Sequence, residues 1–176
     1  MTEPIPTRSR LLNGWRIAGW GALLALLTLP AITMALTGEV EWTAGDFVFA
    51  AVLLGALGGG VEMAVKVSRS GTHMAGLVMS ALAAFLTIWI NASVGIIREG
   101  PINIAFFAII LAAVAASVIV CFRPRAMLLI AGCIVAAELA VGLFAELTGQ
   151  PDWGPVVFVA GLWLLPAILF YSARAW

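Results

Sequence analysis

Two acidic residues lie inside otherwise apolar stretches of this chain, Glu62 and Glu138, and they are the groups best placed to do chemistry. A carboxyl in hydrocarbon is costly unless it has a partner or a wet cavity. Glu62 stands four residues before Lys66, the favourable order and spacing for an ion pair along a helix. It reads either as a structural pair near the membrane edge or as part of a ligand site. Glu138 is the thirteenth residue of an apolar run of twenty-two and has no basic residue within two turns. Ser80, Thr87 and Asn91 are spaced as one polar stripe down a preceding helix. At 1.5 Å per residue, Asn91 should lie about 9 Å and Glu138 about 13 Å below the outer ends of their helices. Thr87 and Asn91 are therefore expected to meet Glu138. Their neutrality and the burial should keep the acid protonated. Two readings stay open for Glu138: a neutral acid bonding two helices together, or a proton or ligand site.

Other chemistries find no residues. The single histidine, His73, falls in a predicted loop and reads as solvated. One histidine excludes bis-histidine haem and a histidine-rich metal site within the chain. There is no Gly-x-Ser-x-Gly elbow, phosphate loop or Cys-x-x-Cys. Ser80, Ser93 and Ser117 lack a histidine base at their depth. No catalytic, cofactor or metal residue is assigned, and an enzyme is not expected. Cys121 and Cys133 differ by roughly 10 Å in expected depth, which argues against a disulfide; they read as small apolar residues of a packed bundle.

The elements that must hold these residues follow from composition. The 176 residues are 63% hydrophobic and 10% charged, with mean hydropathy +1.11 and zero formal net charge. Soluble domains run at about 45–50% apolar and about 25% charged. Here the apolar residues fall in runs of about twenty, the length that crosses about 30 Å of hydrocarbon as a helix. The runs are continuous, unlike the alternating strands of a barrel. Six membrane helices are predicted, at residues 15–36, 46–65, 74–97, 102–122, 126–147 and 155–173, behind a short polar tail of residues 1–14. Pro30 and Pro166 predict kinks in the first and sixth, because proline removes a backbone donor and clashes with the preceding turn. Charge fixes the expected orientation. Arg8, Arg10, Arg16, Lys66, Arg69, Arg123, Arg125 and Arg174 all fall on one side of the spans, and only Arg98 on the other. The opposite connections carry Glu39, Glu41, Asp46, Glu99, Glu146 and Asp152. Basic loops stay cytoplasmic, so both termini are expected there. The first run, Ile17–Leu36, is too long for a usual signal-peptide core and is read as an uncleaved helix.

On the second helix, Gly55 and Gly59 are four apart, a spacing that lets helices approach closely within the chain or between copies. Gly58-Gly59-Gly60 before Glu62 also allows a locally unwound segment of the kind that lines transport sites. Two inverted halves of three helices would suit a transporter repeat. Pro30 and Pro166 are roughly placed for it, but Glu62 and Glu138 sit at different depths.

The segments Trp42-Thr43-Ala44-Gly45-Asp46-Phe47 and Trp89-Ile90-Asn91, with the turn Gly100-Pro101-Ile102-Asn103, resemble an uncharacterised group of small multi-pass bacterial inner-membrane proteins. The resemblance implies a bacterial inner-membrane location and no particular activity. It singles out Asp46, Glu62, Asn91 and Asn103, and places Glu138 where that group more often has glutamine. Residue by residue, Thr43 is a helix cap and Asp46 complements the helix dipole.

The expectation is an all-α bundle of six transmembrane helices in contact with the lipid bilayer, without nucleic acid and with no cofactor. Its site residues would be Glu62, Thr87, Asn91 and Glu138. Small-solute or ion permeation, or an accessory role in a larger membrane complex or homo-oligomer, is the leading function. The alternative is an embedded enzyme or lipid-binding protein using the intramembrane carboxylates. A transporter predicts a wet cavity joining Glu62, Asn91 and Glu138.

Overall fold

The computed structural model describes residues 14–37, 41–98 and 100–173. The expected tail, with Arg8 and Arg10, lies outside the described residues except for Gly14, as do Glu39, Glu99 and Arg174. Every regular element described is helical: α1 (Gly14–Thr37), α2 (Ala44–Val67), α3 (Gly71–Ser93), a 3-10 turn (Pro101–Asn103), α4 (Ile104–Ile119), α5 (Pro124–Leu147), α6 (Trp153–Leu162) and α7 (Leu164–Ala173). Six spans are long and apolar enough to cross a membrane, with α6 and α7 together forming the sixth. A polytopic helical membrane protein follows, in contact with lipid.

The chain divides into two compact units, residues 1–58 and 59–176. In the first, α1 has no buried residue. The hydroxyls of Thr28, Thr33 and Thr37 donate to carbonyls one turn back, so an apolar helix carries them without loss. The helix runs unbroken through Pro30. At the start of α2, Asp46 Oδ2 accepts from the Thr43 backbone N–H (2.7 Å) and hydroxyl (2.8 Å), and the Asp46 N–H reaches Thr43 Oγ1. This is the expected cap. A Cβ on Gly58 would meet the Trp20 ring at 2.8 Å, so glycine there admits the indole.

Unwinding at Gly58–Gly60 does not occur, because α2 is one continuous helix. Glycine costs about 1 kcal/mol in a helix, whereas an unpaired backbone group in lipid costs several. The helix therefore wins.

The second unit is a ring of four spans joined by the last turns of α2. Helix α3 packs on α4 and α7, α4 on α5, and α5 on α6 and α7, which leaves α3 and α5 across the diagonal. Three apolar clusters stack along it. Ala64, Leu77, Met127 and Phe170 close the end that carries Lys66, Arg69, Arg123 and Arg125. Ala83, Ile110, Ala131, Ile134 and Trp163 fill the middle. Ile96, Ile97, Phe106, Ala145, Val156 and Val159 fill the far end.

Three departures from the sequence expectation come from turns. Helix α3 stops at Ser93, not Ile97, because Gly95 takes φ +72° and Asn103 captures the next amides. Asn103 Oδ1 accepts from the N–H groups of Ile96 and Ile97, and its Nδ2 donates to the carbonyls of Ile97 and Arg98. Ile96 and Ile97 look helical by hydropathy but are a buried turn. Helix α4 stops at Ile119, since Cys121 and Phe122 are left-handed, with φ +52° and +54°. His73 is not a solvated loop residue; it lies in the first turn of α3 and is 1% exposed. Cys121 and Cys133 form no disulfide, as expected, but both are exposed rather than packed inside.

The sixth span breaks where Pro166 predicts. Proline has no N–H for the Leu162 carbonyl four residues back. The chain answers with a tight turn, Trp163 N–H to Ala160 O at 3.2 Å, and resumes as α7 with Ala167 N–H to Trp163 O at 3.1 Å.

Candidate functional site

The buried faces of α3 and α5 follow a three-four rhythm that points one stripe of each helix into the ring. On α3 that stripe includes Ala83, Thr87 and Asn91; on α5 it includes Ile134, Glu138 and Gly142. Glu138 and Thr87 are wholly buried, Asn91 is 5% exposed and Trp163 4%. Five of their polar atoms have no hydrogen-bond partner: both carboxyl oxygens of Glu138, Thr87 Oγ1, Asn91 Oδ1 and Trp163 Nε1. Buried polar atoms are almost always bonded, and each exception calls for a reason.

These atoms fall in the zone where the middle and far clusters meet, a layer about 12 Å deep with Asn91 nearest the helix ends and Glu138 and Trp163 deepest. Along α5, Glu138 lies between Ile134 of the middle cluster and Ala145 of the far one. Along α3, Thr87 and Asn91 occupy the same boundary, between Ala83 and Ile96. Along the sixth span, Trp163 follows Val159 across it. The ends of α5 and α6 are registered by Trp153 Nε1 donating to Glu146 Oε2 at 2.8 Å. Eight residues back from Glu146 and ten on from Trp153 put Glu138 at about 12 Å depth and Trp163 at about 15 Å. The indole thus stands at the helix break, close to the level of the carboxyl.

The expected direct bond from Glu138 to Thr87 and Asn91 is not made, since its oxygens and theirs are all unpartnered. The early end of α3 is one reason. It leaves Asn91 only about 3 Å from its helix end, against about 14 Å for Glu138. The other is competition, because Asn91 Nδ2 donates to the carbonyl of Asn103 at 2.8 Å. Ser80 also leaves the stripe, donating to Gly76 O in its own helix.

Glu62 is placed elsewhere. It is half-buried near the last turns of α2, two residues before Ala64 of the basic-end cluster. Counted from the helix ends at that side, Glu62 is about 7 Å in and Glu138 about 21 Å. A single site using both carboxylates is therefore not assembled. An apolar groove of about 270 Å³ lies between Met79, Leu82, Ala83 and Leu86 of α3 and Gly161, Leu162 and Leu165 at the break. None of the four unpartnered residues lines it.

Trp163 is the residue that sequence reasoning missed. A tryptophan ten residues into a span, away from the interfacial belt, brings an N–H that needs an acceptor. Its place three residues before Pro166 was the available signal. Among the described residues, no group of three or more His, Cys, Asp or Glu side chains is arranged to hold a metal. What the layer can do is accept hydrogen bonds at four oxygens, take a proton at Glu138, and offer the Thr87 hydroxyl and the Trp163 N–H as donors. Comparison with known proteins finds no match for the chain among family models, curated proteins or solved structures.

Proposed function

We propose that this chain is a multi-pass protein of the bacterial inner membrane, with both termini cytoplasmic, that moves protons or a small solute through its four-span core. Glu138 is the group that carries the proton. The observation behind this reading is the fully buried Glu138 carboxyl with both oxygens unpartnered, in a layer with three more unpartnered side chains. A residue kept only to join helices would have its bonds made, because an unmade buried bond costs about 1–3 kcal/mol. The broken sixth span beside the layer supplies the discontinuous helix common around intramembrane sites. The one-sided basic residues support the orientation. The test is proton uptake into liposomes holding the purified protein, driven by a potassium diffusion potential and read by a pH-sensitive dye. Wild type should acidify several-fold faster than empty liposomes, and Glu138→Gln should not. Equal rates for the two proteins would overturn the proposal.

A second reading, an accessory subunit or homo-oligomer, is favoured by α1. None of its described residues is buried, and Leu24, Leu26, Leu29 and Ile32 are all exposed. Mass measurement of the detergent-solubilised protein tests it. A monomer that still conducts protons rules out an obligatory assembly.

A further inference from the structure

We propose that His73 is a proton-operated latch at the basic end of the four-span core, holding the α4–α5 turn until the imidazole takes up a proton. This is separate from the role of Glu138.

The latch is built from hydrogen bonds on both ring nitrogens. Nδ1 accepts the backbone N–H of Arg69 at 3.1 Å. An Nδ1 that accepts must be unprotonated, so Nε2 carries the hydrogen. Nε2–H then donates to the carbonyl oxygen of Phe122, 2.8 Å away and forty-nine residues on in the chain. The ring meets Phe170 of α7 edge to face, with centroids 6.0 Å apart. Gly76 gives Phe170 its room, since a Cβ there would lie 2.7 Å from the ring. Ser70 Oγ accepts the His73 N–H and starts the helix that positions it. One imidazole therefore ties the α2–α3 connection, the α4–α5 turn and α7.

Only the neutral ring fits. Adding a proton at Nδ1 puts a second N–H against the N–H of Arg69, and two donors cannot bond. The described segments around the ring are predominantly basic. The ionisable side chains on the segments that meet the ring are Lys66 and Arg69 before it, Cys121, Arg123 and Arg125 at the turn, and Tyr171 beside Phe170. The nearest acid on these segments is Glu62, about one turn further up α2 than Lys66. At 1% exposure and among these basic neighbours, an imidazolium is cut off from bulk solvent and must leave its place. The carbonyl of Phe122 then loses its donor.

The turn it releases has reason to move. Cys121 and Phe122 are consecutive non-glycine residues in the left-handed region, a conformation kept only where surroundings impose it. Inside the turn, the N–H of Phe122 bonds to Ser117 O and that of Cys121 to Val118 O. The imidazole is the described side chain that bonds to the turn's carbonyl from another helix.

His73 is the chain's one histidine, so a single labelled imidazole reports it without ambiguity. The experiment combines nitrogen NMR of histidine-labelled full-length protein in nanodiscs with amide hydrogen exchange over residues 66–73 and 117–125. Exchange is corrected for its intrinsic pH dependence. At pH 7.5 the ring should be the Nε2–H tautomer and both segments protected. Below about 6.5, the ordinary imidazole value, opening of both segments should rise about tenfold per pH unit, the signature of one linked proton. His73→Gln keeps a donor for Phe122 and cannot titrate, so its protection should not change with pH. Proton uptake by His73 without loss of protection would overturn the latch. So would a pH response that survives in His73→Gln. If that variant does not fold, the wild-type comparison of proton uptake with exchange decides alone.

Discussion

Asn91 donates its side-chain amide to the carbonyl oxygen of Asn103, 2.8 Å away, and leaves its own Oδ1 unpartnered in the core. The same residue thus secures the α3–α4 turn and contributes an acceptor to the polar layer below it. Asn103 completes the turn with four bonds to backbone groups of Ile96, Ile97 and Arg98.

Asn103→Ala should therefore be among the most damaging single changes. It strips the partner from two buried N–H groups, each costing about 1–3 kcal/mol when left unmade. Thermal unfolding in detergent should show a clear drop, larger than that of Asn91→Ala, which loses one bond and one already unpartnered oxygen. Equal stability for Asn103→Ala and wild type would show that the turn does not depend on the side chain.

Glu138 should behave in the opposite way. It makes no hydrogen bond, so Glu138→Leu removes a buried polar group and breaks nothing. Burying an unpaired polar group costs about 1–3 kcal/mol on mutational scales. The leucine variant is expected to unfold at the same temperature as wild type or higher, and to conduct no protons. A marked loss of stability would mean that the carboxyl bonds a neighbour and joins helices.

Pro166→Ala returns an N–H to the carbonyl of Leu162 and should heal the sixth span. Alanine in place of a mid-helix proline is worth up to about 3 kcal/mol, less whatever the packed kink contributes. Unfolding temperature should hold or rise while proton flux falls. Unchanged flux in a straightened span would separate the helix break from conduction.

Orientation is tested by reporter fusions after Gln150 and after Trp176. The basic bias expects them on opposite sides, with Trp176 cytoplasmic. A cytoplasmic Gln150 would contradict the arrangement of all six spans.

Sequence alone determined the six spans, the break at Pro166, the Thr43–Asp46 cap and the presence of a carboxyl at membrane depth. These rest on local quantities: the length of an apolar run, a missing donor, a side chain reaching its own helix end. They do not depend on which helices are neighbours. Whether Glu138 has a partner was not local. It depended on α3 and α5 lying across a diagonal, on Asn103 ending α3 four residues early, and on Asn91 turning to that residue instead. The hydropathy of Ile96 and Ile97 hid the turn, because burial in a tight loop and burial in a helix require the same apolar side chains. His73 was misread for a related reason. A lone histidine between basic residues looks solvated until a carbonyl forty-nine positions away arrives at its Nε2. Only the packing of α4 and α7 around it brings that carbonyl there, because hydrogen bonds between helices are set by three-dimensional register rather than by any spacing along the chain.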